Sequence, residues 1–277
     1  MRTGELVEFQ HNTSRAGDKA SVAQSLKRLR DIINANLENP DNALWITLTY
    51  AINMQDEKQL YTDFHAFWKR FRRYQERRGQ PPALYIAAAE PQGRGAWHLH
   101  IVLLFPGKAP FIPNADMAQL WRHGFTKTKS LKAVDNPGLY LTAYLGDMEL
   151  MEAAQAGAMS AKIKEVDVTG TDGTRQKKSI IKGARLHMYP PGFNIYRTSR
   201  GIKRPAVSTM TESEAQKLVG DTPLTYEKTI SLTDSAGEVK NIINYRTYTK
   251  SPAKDGSGTP AEKQVEPGNA DVSEPGH

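Results

Sequence analysis

The chain of 277 residues is 39% hydrophobic and 24% charged, which is typical of a globular protein with one good-sized domain and an appendage. Its lack of cysteine excludes disulfides and thiolate metal ligands, and no apolar run reaches the roughly 18 residues of a membrane span, so we expect a cytoplasmic protein without a membrane partner. The net charge of +7 comes from 37 Lys and Arg against 30 Asp and Glu, and it favours a polyanionic partner such as nucleic acid.

The composition predicts four regions along the chain. Residues 251–277 hold hardly any large apolar side chains and carry a charge of −3, so we expect a disordered tail after a body with a charge of +10. Apolar residues at helical spacing predict a helix from Asp18 to Leu37. The predicted regions are an N-terminal extension with this helix over 1–42, a core domain over 43–158, a basic β-containing C-terminal extension over 159–250, and the tail.

Residues 43–152 are predicted to follow the order β-α-β-β-α-β, with one further helix. The strands are expected over 43–50, 83–90, 97–105 and 124–130, and the helices over 56–78, 114–122 and 137–152. This order is the ferredoxin-like split βαβ plan, which RRM-like domains share. It predicts an α+β fold whose antiparallel sheet has helices on one face and leaves the other face free for a site.

The C-terminal extension is predicted in three parts. Residues 160–205 are rich in Lys, Arg and Gly and are expected to form an extension with a basic loop. A short helix is expected over 211–219, and a hairpin over 224–248 that turns at Asp234–Gly237.

Two histidines, His98 and His100, lie in the strand predicted over 97–105. Residues two apart on a strand share a face with Cα atoms about 6.6 Å apart, so two imidazoles can converge on one divalent metal, although strand histidines in a polar patch show the same pattern. Glu90 ends the preceding strand, and pairing of the two strands brings its carboxylate beside the histidines. Two histidines and a carboxylate commonly hold a catalytic divalent ion, so Glu90, His98 and His100 are the predicted metal ligands.

Tyr140 and Tyr144 lie four residues apart on the helix predicted after the core, so they share one helix face. A phenol with an ordinary pKa of about 10 is a poor nucleophile, and a metal that polarises a phosphate compensates by stabilising charge in the transition state. Both tyrosines are candidate catalytic residues. The spacing leaves open whether one or both act, and each alone also fits an ordinary core aromatic.

The ordered set ITLT (46–49), E…HLH (90–100) and YLTAY (140–144) resembles the three motifs of HUH-superfamily endonucleases. It is most similar to the rolling-circle replication initiators of bacterial plasmids and phages, and it covers residues 43–150. The specificity comes from the order and spacing of the three motifs together. The resemblance implies that the core is a catalytic domain of the HUH type, with Glu90, His98 and His100 holding Mg²⁺ or Mn²⁺.

The same resemblance implies nicking and joining of single-stranded or hairpin DNA at a replication origin in a bacterial host cell. A tyrosine would attack the scissile phosphate, which gives a 5′-phosphotyrosyl link and a 3′-OH for a host polymerase. A host helicase is expected as a partner because the chain has no GxxxxGK[ST] pattern. Many family members have a lysine shortly after the nucleophile, whereas Ala143 and Asp147 stand there in this chain, so Lys127, Lys129 and Lys132 are candidate replacements.

Other basic residues are candidate contacts to the DNA backbone. Arg94 lies in the turn between Glu90 and the histidines. Cations beside aromatic side chains suit a single strand, and such a cluster is formed by Arg197, Arg200, Lys203 and Arg204, interleaved with Tyr189, Phe193 and Tyr196. A further basic group on the predicted loop consists of Lys177, Lys178, Lys182 and Arg185.

Three other functions fit part of this pattern. A relaxase or a single-tyrosine transposase would use the same chemistry, although a relaxase more often has a third histidine where Glu90 stands. A non-catalytic single-stranded nucleic-acid-binding module would use the same fold through exposed aromatics on the sheet and would need no divalent ion. A metallohydrolase acting through activated water would leave no covalent protein–DNA product.

Overall fold

The computed structural model of the protein describes residues 12–131, 137–149, 163–169, 175–181, 183–234 and 237–248. These residues fall into two compact units, one that ends at Val207 and one that begins at Ser208. Across the described ranges, we find no helix long and apolar enough to cross a lipid bilayer. The tail predicted over 251–277, and Lys132, lie outside the described residues.

The first unit contains a central antiparallel sheet, a smaller sheet and the helices that pack on them. Its helices are α1 (Lys19–Asn36), α2 (Glu57–Arg77), α3 (Asn114–Trp121) and α4 (Pro137–Gly146). Its strands are β1 (Ala43–Thr49), β2 (Leu84–Pro91), β3 (Trp97–Leu104), β4 (Thr126–Ser130), β5 (Met148–Glu149), β6 (Ile163–Thr169), β7 (Arg175–Ile181) and β8 (Tyr196–Thr198).

The central sheet has the strand order β4-β1-β3-β2-β8, and each neighbouring pair is antiparallel. The split βαβ plan places β3 between β1 and β2, so the order of the first four strands is consistent with a ferredoxin-like core. The predicted α+β fold with an antiparallel sheet is confirmed. The edge strand β8 comes from a segment that the sequence pattern assigned to a loop.

Helix α2 begins and packs as its sequence predicts. The Asp56 carboxylate caps the helix by accepting hydrogen bonds from the Lys58 and Gln59 backbone N–H groups, at 2.8 and 3.1 Å. The buried residues Leu60, Phe64, Phe67 and Phe71 recur on one side of α2, and the Phe64 ring meets Tyr85 of β2 edge-on with centroids 5.0 Å apart. This apolar side fixes α2 on one face of the central sheet.

The opposite face of the central sheet is also largely buried, so the prediction of a free face is wrong. Ile86 and Val102, which are paired across β2 and β3 on that face, are both buried. Helices α1 and α4 pack against each other, and α4 contacts β2. Apolar side chains at these positions have to be removed from water, which a bare sheet face would not allow. His98 and His100, towards the other end of β3, remain half-buried.

The chain leaves α4 earlier than predicted, because the helix ends at Gly146 rather than at residue 152. The Asp147 carboxylate accepts a hydrogen bond from the Gly183 N–H at 2.8 Å, and β5 then pairs with β7 in a sheet of order β5-β7-β6. The prediction of a loop over 160–205 is therefore wrong for β6, β7 and β8. Strands β6 and β7 are rich in charged residues, which hides the alternation that normally reveals a strand.

The second unit contains α5 (Glu212–Val219) and the antiparallel strands β9 (Leu224–Thr233) and β10 (Val239–Tyr248). Thr211 and Glu214 form a capping box at the start of α5. The Gly237 N–H donates to the Asp234 carbonyl at 3.0 Å where the hairpin turns. The predicted short helix and hairpin are both confirmed.

Candidate metal centre

The predicted metal ligands Glu90, His98 and His100 come together on one face of the central sheet. Glu90 of β2 lies directly opposite His98 of β3, and Ala88 lies opposite His100, so the two histidines and the carboxylate share a face. One ligand atom from each of the three residues lies within 4.8 Å of the others. The three side chains could therefore hold a single metal ion between them.

His98 has the environment of a ligand without its metal. Its Nε2 is buried and has no hydrogen-bond partner among the described residues, which is costly for a polar atom unless something else satisfies it. Burial lowers the pKa of His98 to about 4, against the opposing pull of Glu90. The imidazole is therefore neutral near pH 7, which is the form that binds metal.

His100 is held in position through both ring nitrogens. Its Nδ1 lies 3.3 Å from the Thr47 hydroxyl, and its Nε2 is hydrogen-bonded to Glu90 Oε2. Thr47 also accepts a hydrogen bond from the Trp45 indole N–H at 3.3 Å. Thr47 thus acts as the outer partner that fixes the orientation of a metal-binding imidazole, a common arrangement in metal sites. The ITLT segment contributes to the site through this hydroxyl.

Glu90 is a buried carboxylate that stays ionised. Burial by itself raises its pKa, but the nearby positive charges of His100 and Arg185 more than offset this, and the pKa lies below its ordinary value. Arg185 Nη2 lies 3.1 Å from Glu90 Oε1, while Oε2 faces His100. The two carboxylate oxygens therefore have separate roles, one towards the arginine and one towards the imidazoles.

Arg185 is a functional residue that sequence reasoning assigned to a basic surface. Its side chain is 4% exposed, and its Nη1 and Nε donate to the carbonyls of Pro91 and Asp147 at 2.6 and 3.1 Å. The guanidinium thus joins the end of β2, the residue after α4 and the metal-ligand carboxylate. The prediction that Arg185 lies on an exposed basic surface is wrong, because buried charges need this kind of pairing.

The candidate nucleophiles Tyr140 and Tyr144 lie on α4, and their side chains are outside the described part of the structure. The position of α4 itself is well defined by its neighbours. The fully buried Tyr189 hydroxyl lies 2.9 Å from the carbonyls of both Ala89 in β2 and Leu145 in α4. The helix that carries both tyrosines is thereby tied to the strand that carries Glu90.

The predicted phosphate-binding residues Lys127 and Lys129 lie on the same sheet face as the metal ligands. Lys127 pairs with Thr47, which in turn pairs with His100, so two strand spacings of about 4.8 Å separate Lys127 from His100. Arg94 is exposed, donates to the Tyr50 carbonyl at 3.2 Å, and its charge helps to lower the pKa of His98. These three cations surround the metal centre, while Lys132 is outside the described residues.

The predicted cluster around β8 lies elsewhere on the first unit. Arg197 pairs with Ala87, so it projects from the sheet face opposite to Glu90, and its guanidinium lies 3.5 Å from the centre of the Tyr61 ring. Arg200 and Arg204 are exposed, and Lys203 Nζ is 3.0 Å from Glu38 Oε1. Of the interleaved aromatics, Tyr189 and Phe193 are buried, so the prediction that they stack on DNA is wrong. Tyr196 is half-buried.

A comparison with known protein families gives one match. Residues 43–149 match a family model of replication-associated proteins of the ORF2 type. The matched span runs from β1 to β5, contains all three candidate metal ligands and α4, and makes up less than half of the chain. This part of the chain is similar to replication-associated proteins, which supports a Rep-like protein with a role in DNA replication. No curated protein and no solved structure matches the chain.

Proposed function

We propose that the protein is a metal-dependent endonuclease of the HUH type that nicks and rejoins DNA at a replication origin and starts rolling-circle replication. The observation that carries this proposal is the convergence of Glu90, His98 and His100 beside an unsatisfied buried His98 Nε2. The similarity of residues 43–149 to replication-associated proteins gives this centre a substrate class.

The donor set fits a hard divalent ion. Two imidazoles and one carboxylate leave open positions for oxygen atoms, which Mg²⁺ and Mn²⁺ prefer. When bound, such an ion supplies a Lewis acid for a phosphate oxygen. Arg185 keeps the Glu90 carboxylate ionised and oriented, and Thr47 orients His100. Lys127, Lys129 and Arg94 provide positive charge around the centre for the DNA backbone.

The proposed chemistry is a transesterification by a tyrosine of α4. The phenolic oxygen of Tyr140 or Tyr144 forms a bond to phosphorus, and the P–O3′ bond breaks. The phenolic proton passes to solvent, and the leaving 3′ oxygen takes up a proton. The products are a 5′-phosphotyrosyl link and a 3′-OH, and the reverse reaction rejoins the strand because the link retains the phosphodiester energy.

A binding module without catalysis has less support. Single-strand binders of this fold use exposed aromatic side chains on the sheet. On the corresponding face of this sheet the residues are His98, His100 and the buried Trp45, and Trp45 serves as a donor to Thr47. A relaxase or a single-tyrosine transposase would share the proposed chemistry and differ in the DNA that it acts on.

The proposal is tested by the formation of a covalent protein–DNA adduct. Single-stranded oligonucleotides tiled across the DNA that surrounds the reading frame are labelled at the 3′ end and incubated with the full chain and Mn²⁺. We expect one oligonucleotide to give a labelled band at the mass of the protein plus a DNA fragment, and EDTA to abolish it.

Substitution of the tyrosines identifies the nucleophile. The double variant Tyr140→Phe, Tyr144→Phe should form no adduct, and the two single variants should show which tyrosine acts. Tyr245→Phe is the matched control, because Tyr245 is exposed in the second unit and should leave the adduct unchanged. An adduct in the double variant would refute the assignment, and failure of the entire tiled set with Mn²⁺ would refute the function.

A further inference from the structure

A second basic site lies beside β8 and is not part of the metal centre. It is a cleft of about 360 Å³ between α1 and the β8 segment. Its lining includes four arginines and no carboxylate, together with two serine hydroxyls of α1. The residues that the argument uses are Arg15, Arg28, Arg197, Arg204, Ser21 and Ser25.

Both walls of this arginine cleft are held in place. On one side, the Arg15 backbone N–H donates to the Tyr189 carbonyl at 3.0 Å. On the other, the Asn36 side-chain amide donates to the Lys203 carbonyl and accepts from the Lys203 N–H, each at 2.9 Å. The distance between α1 and the β8 segment is therefore set before any ligand binds, which reduces the entropy lost on binding.

The α1 wall presents hydrogen-bond donors in a regular row. Ser21, Ser25 and Arg28 follow one another at spacings of four and three residues, so they share one face of the helix. Arg28 is exposed and has no ion pair with any described residue. Its five N–H donors are available to an incoming anion.

Arg15 supplies the observation that points to a ligand. Its side chain is 9% exposed, with one guanidinium nitrogen 3.3 Å from the Asp18 carboxylate and another 3.3 Å from the Ser21 hydroxyl. Its Nε is buried without a hydrogen-bond partner among the described residues. A buried charged donor at the wall of a polar cleft is satisfied when an anion or water occupies the cleft.

The β8 wall adds two further cations in defined positions. The Arg197 guanidinium lies over the Tyr61 ring, and Tyr61 is itself fixed by a 2.7 Å hydrogen bond to the Asn194 carbonyl. Stacking uses the face of the guanidinium and leaves its in-plane N–H donors for an oxygen ligand. Arg204 Nη2 lies 3.5 Å from the Thr198 hydroxyl. Four guanidinium groups around one cleft repel one another, and a phosphate relieves that repulsion.

From these contacts we infer that the arginine cleft binds one nucleotide of the DNA strand, through its phosphodiester group. The volume lies within the range of about 300 to 1,000 Å³ that is usual for small-ligand sites, which is enough for a nucleotide. Tyr196 lines the cleft and is half-buried, so it offers a ring on which a base can stack. This inference rests on the proposed function for its choice of DNA, and it adds Arg15 and Arg28 to the residues that bind it.

The test measures DNA binding without nicking. A fluorescent thymidine oligonucleotide of about 12 nucleotides, within the usual footprint of single-strand sites, is titrated with the full chain in EDTA at several salt concentrations. Arg28→Ala with Arg204→Ala should weaken binding about tenfold and lower the slope of log affinity against log salt by about 1.4, which corresponds to two phosphate contacts. Both arginines are exposed, so folding should be unaffected, and thermal unfolding checks this.

Lys19→Ala is the matched control, because Lys19 is an exposed cation of α1 outside the cleft. It should leave both the affinity and the salt slope close to those of the unmodified chain. Equal binding by the double arginine variant, or an equal loss in Lys19→Ala, would overturn the inference. Displacement of the oligonucleotide by thymidine triphosphate at lower concentration than by unlabelled oligonucleotide would identify a free nucleotide as the phosphate source and would also overturn it. Because no metal is present, these outcomes are independent of whether the covalent adduct forms.

Discussion

Arg185 and Glu90 form a buried ion pair of 3.1 Å that joins residues 95 positions apart in the chain. The pair connects the turn after β7 to the end of β2, at the point where the metal ligands converge. The carboxylate that completes the metal centre therefore depends on a side chain from outside the span that matches the replication family.

Removal of the arginine should damage both folding and metal binding. Arg185→Leu leaves the Glu90 charge buried without its partner, so we expect the free energy of unfolding to fall by about 3 to 5 kcal/mol. Mn²⁺ affinity should fall by about 10- to 100-fold, as is usual when an outer partner of a metal ligand is lost. Urea unfolding and calorimetric titration measure the two effects.

A second substitution separates the charge pair from general packing. Adding Glu90→Gln to Arg185→Leu removes the uncompensated charge and should restore part of the lost stability, but not the metal affinity. Arg200→Leu is a control at an exposed arginine and should change neither quantity. Equal unfolding free energies for the single and double variants would show that the ion pair has no energetic role.

His98 should contribute little to the stability of the metal-free protein and much to that of the metal-bound protein. Because its buried Nε2 has no described partner, His98→Leu loses no hydrogen bond at that atom in the absence of metal. At a Mn²⁺ concentration of 100 times the dissociation constant, the unmodified chain should gain about 2.7 kcal/mol, and the variant should gain almost nothing.

Thermal unfolding with and without Mn²⁺ gives this comparison. His65→Leu, at an exposed histidine of α2, should keep the full metal-dependent gain. A variant at position 98 that is stabilised by Mn²⁺ as much as the unmodified chain would exclude His98 as a ligand.

The stability of the metal-free protein should decrease in mildly acidic solution. Burial lowers the pKa of His98 from its usual 6.5 to about 4, so between these values the unfolded chain binds more protons than the folded chain. Stability therefore falls as the pH falls through this window. Glu90, whose pKa is also lowered, acts in the same direction at still lower pH.

This pH dependence is measured by unfolding in EDTA between about pH 7 and pH 5. His98→Gln should show a flatter profile than the unmodified chain, while His65→Gln, at an exposed site, should not differ from it. Identical slopes for His98→Gln and the unmodified chain would mean that His98 titrates normally in the folded state.

Loss of the Tyr189 hydroxyl should loosen α4 without affecting the metal. Tyr189→Phe leaves the carbonyls of Ala89 and Leu145 without this donor, and we expect a loss of about 1 to 3 kcal/mol in unfolding free energy. Adduct formation should slow, because the helix of the candidate nucleophiles is less firmly held, whereas Mn²⁺ affinity should stay the same. Tyr226→Phe, at an exposed tyrosine, is the control. Unchanged adduct formation in a destabilised Tyr189→Phe protein would limit this hydroxyl to folding.

The metal centre could be predicted because its geometry is local. His98 and His100 are related by strand alternation, and Glu90 reaches them through the short connection between β2 and β3. Arg185 and Tyr189 could not be assigned, since their roles depend on contacts with residues some 40 to 100 positions away. Their basic and aromatic character suggested a DNA surface, whereas burial gives them structural roles.

Secondary structure was predictable where apolar spacing or turn chemistry was clear. The helix capped by Asp56 and the hairpin turning at Asp234 both agree with the structure. The three-residue strand β8 is too short to show alternation, and it pairs with β2 only because the distant chain returns to that edge.

The edge strand has a practical consequence for the smallest fragment that can function. A protein trimmed to residues 43–149 would retain each candidate ligand and both α4 tyrosines, yet it would lack β8, Tyr189 and Arg185. The hydrogen-bonding edge of β2 would open to solvent or to another molecule, and Glu90 would lose its counter-ion. Such a fragment is expected to self-associate, and the autonomous nuclease extends at least to Thr198.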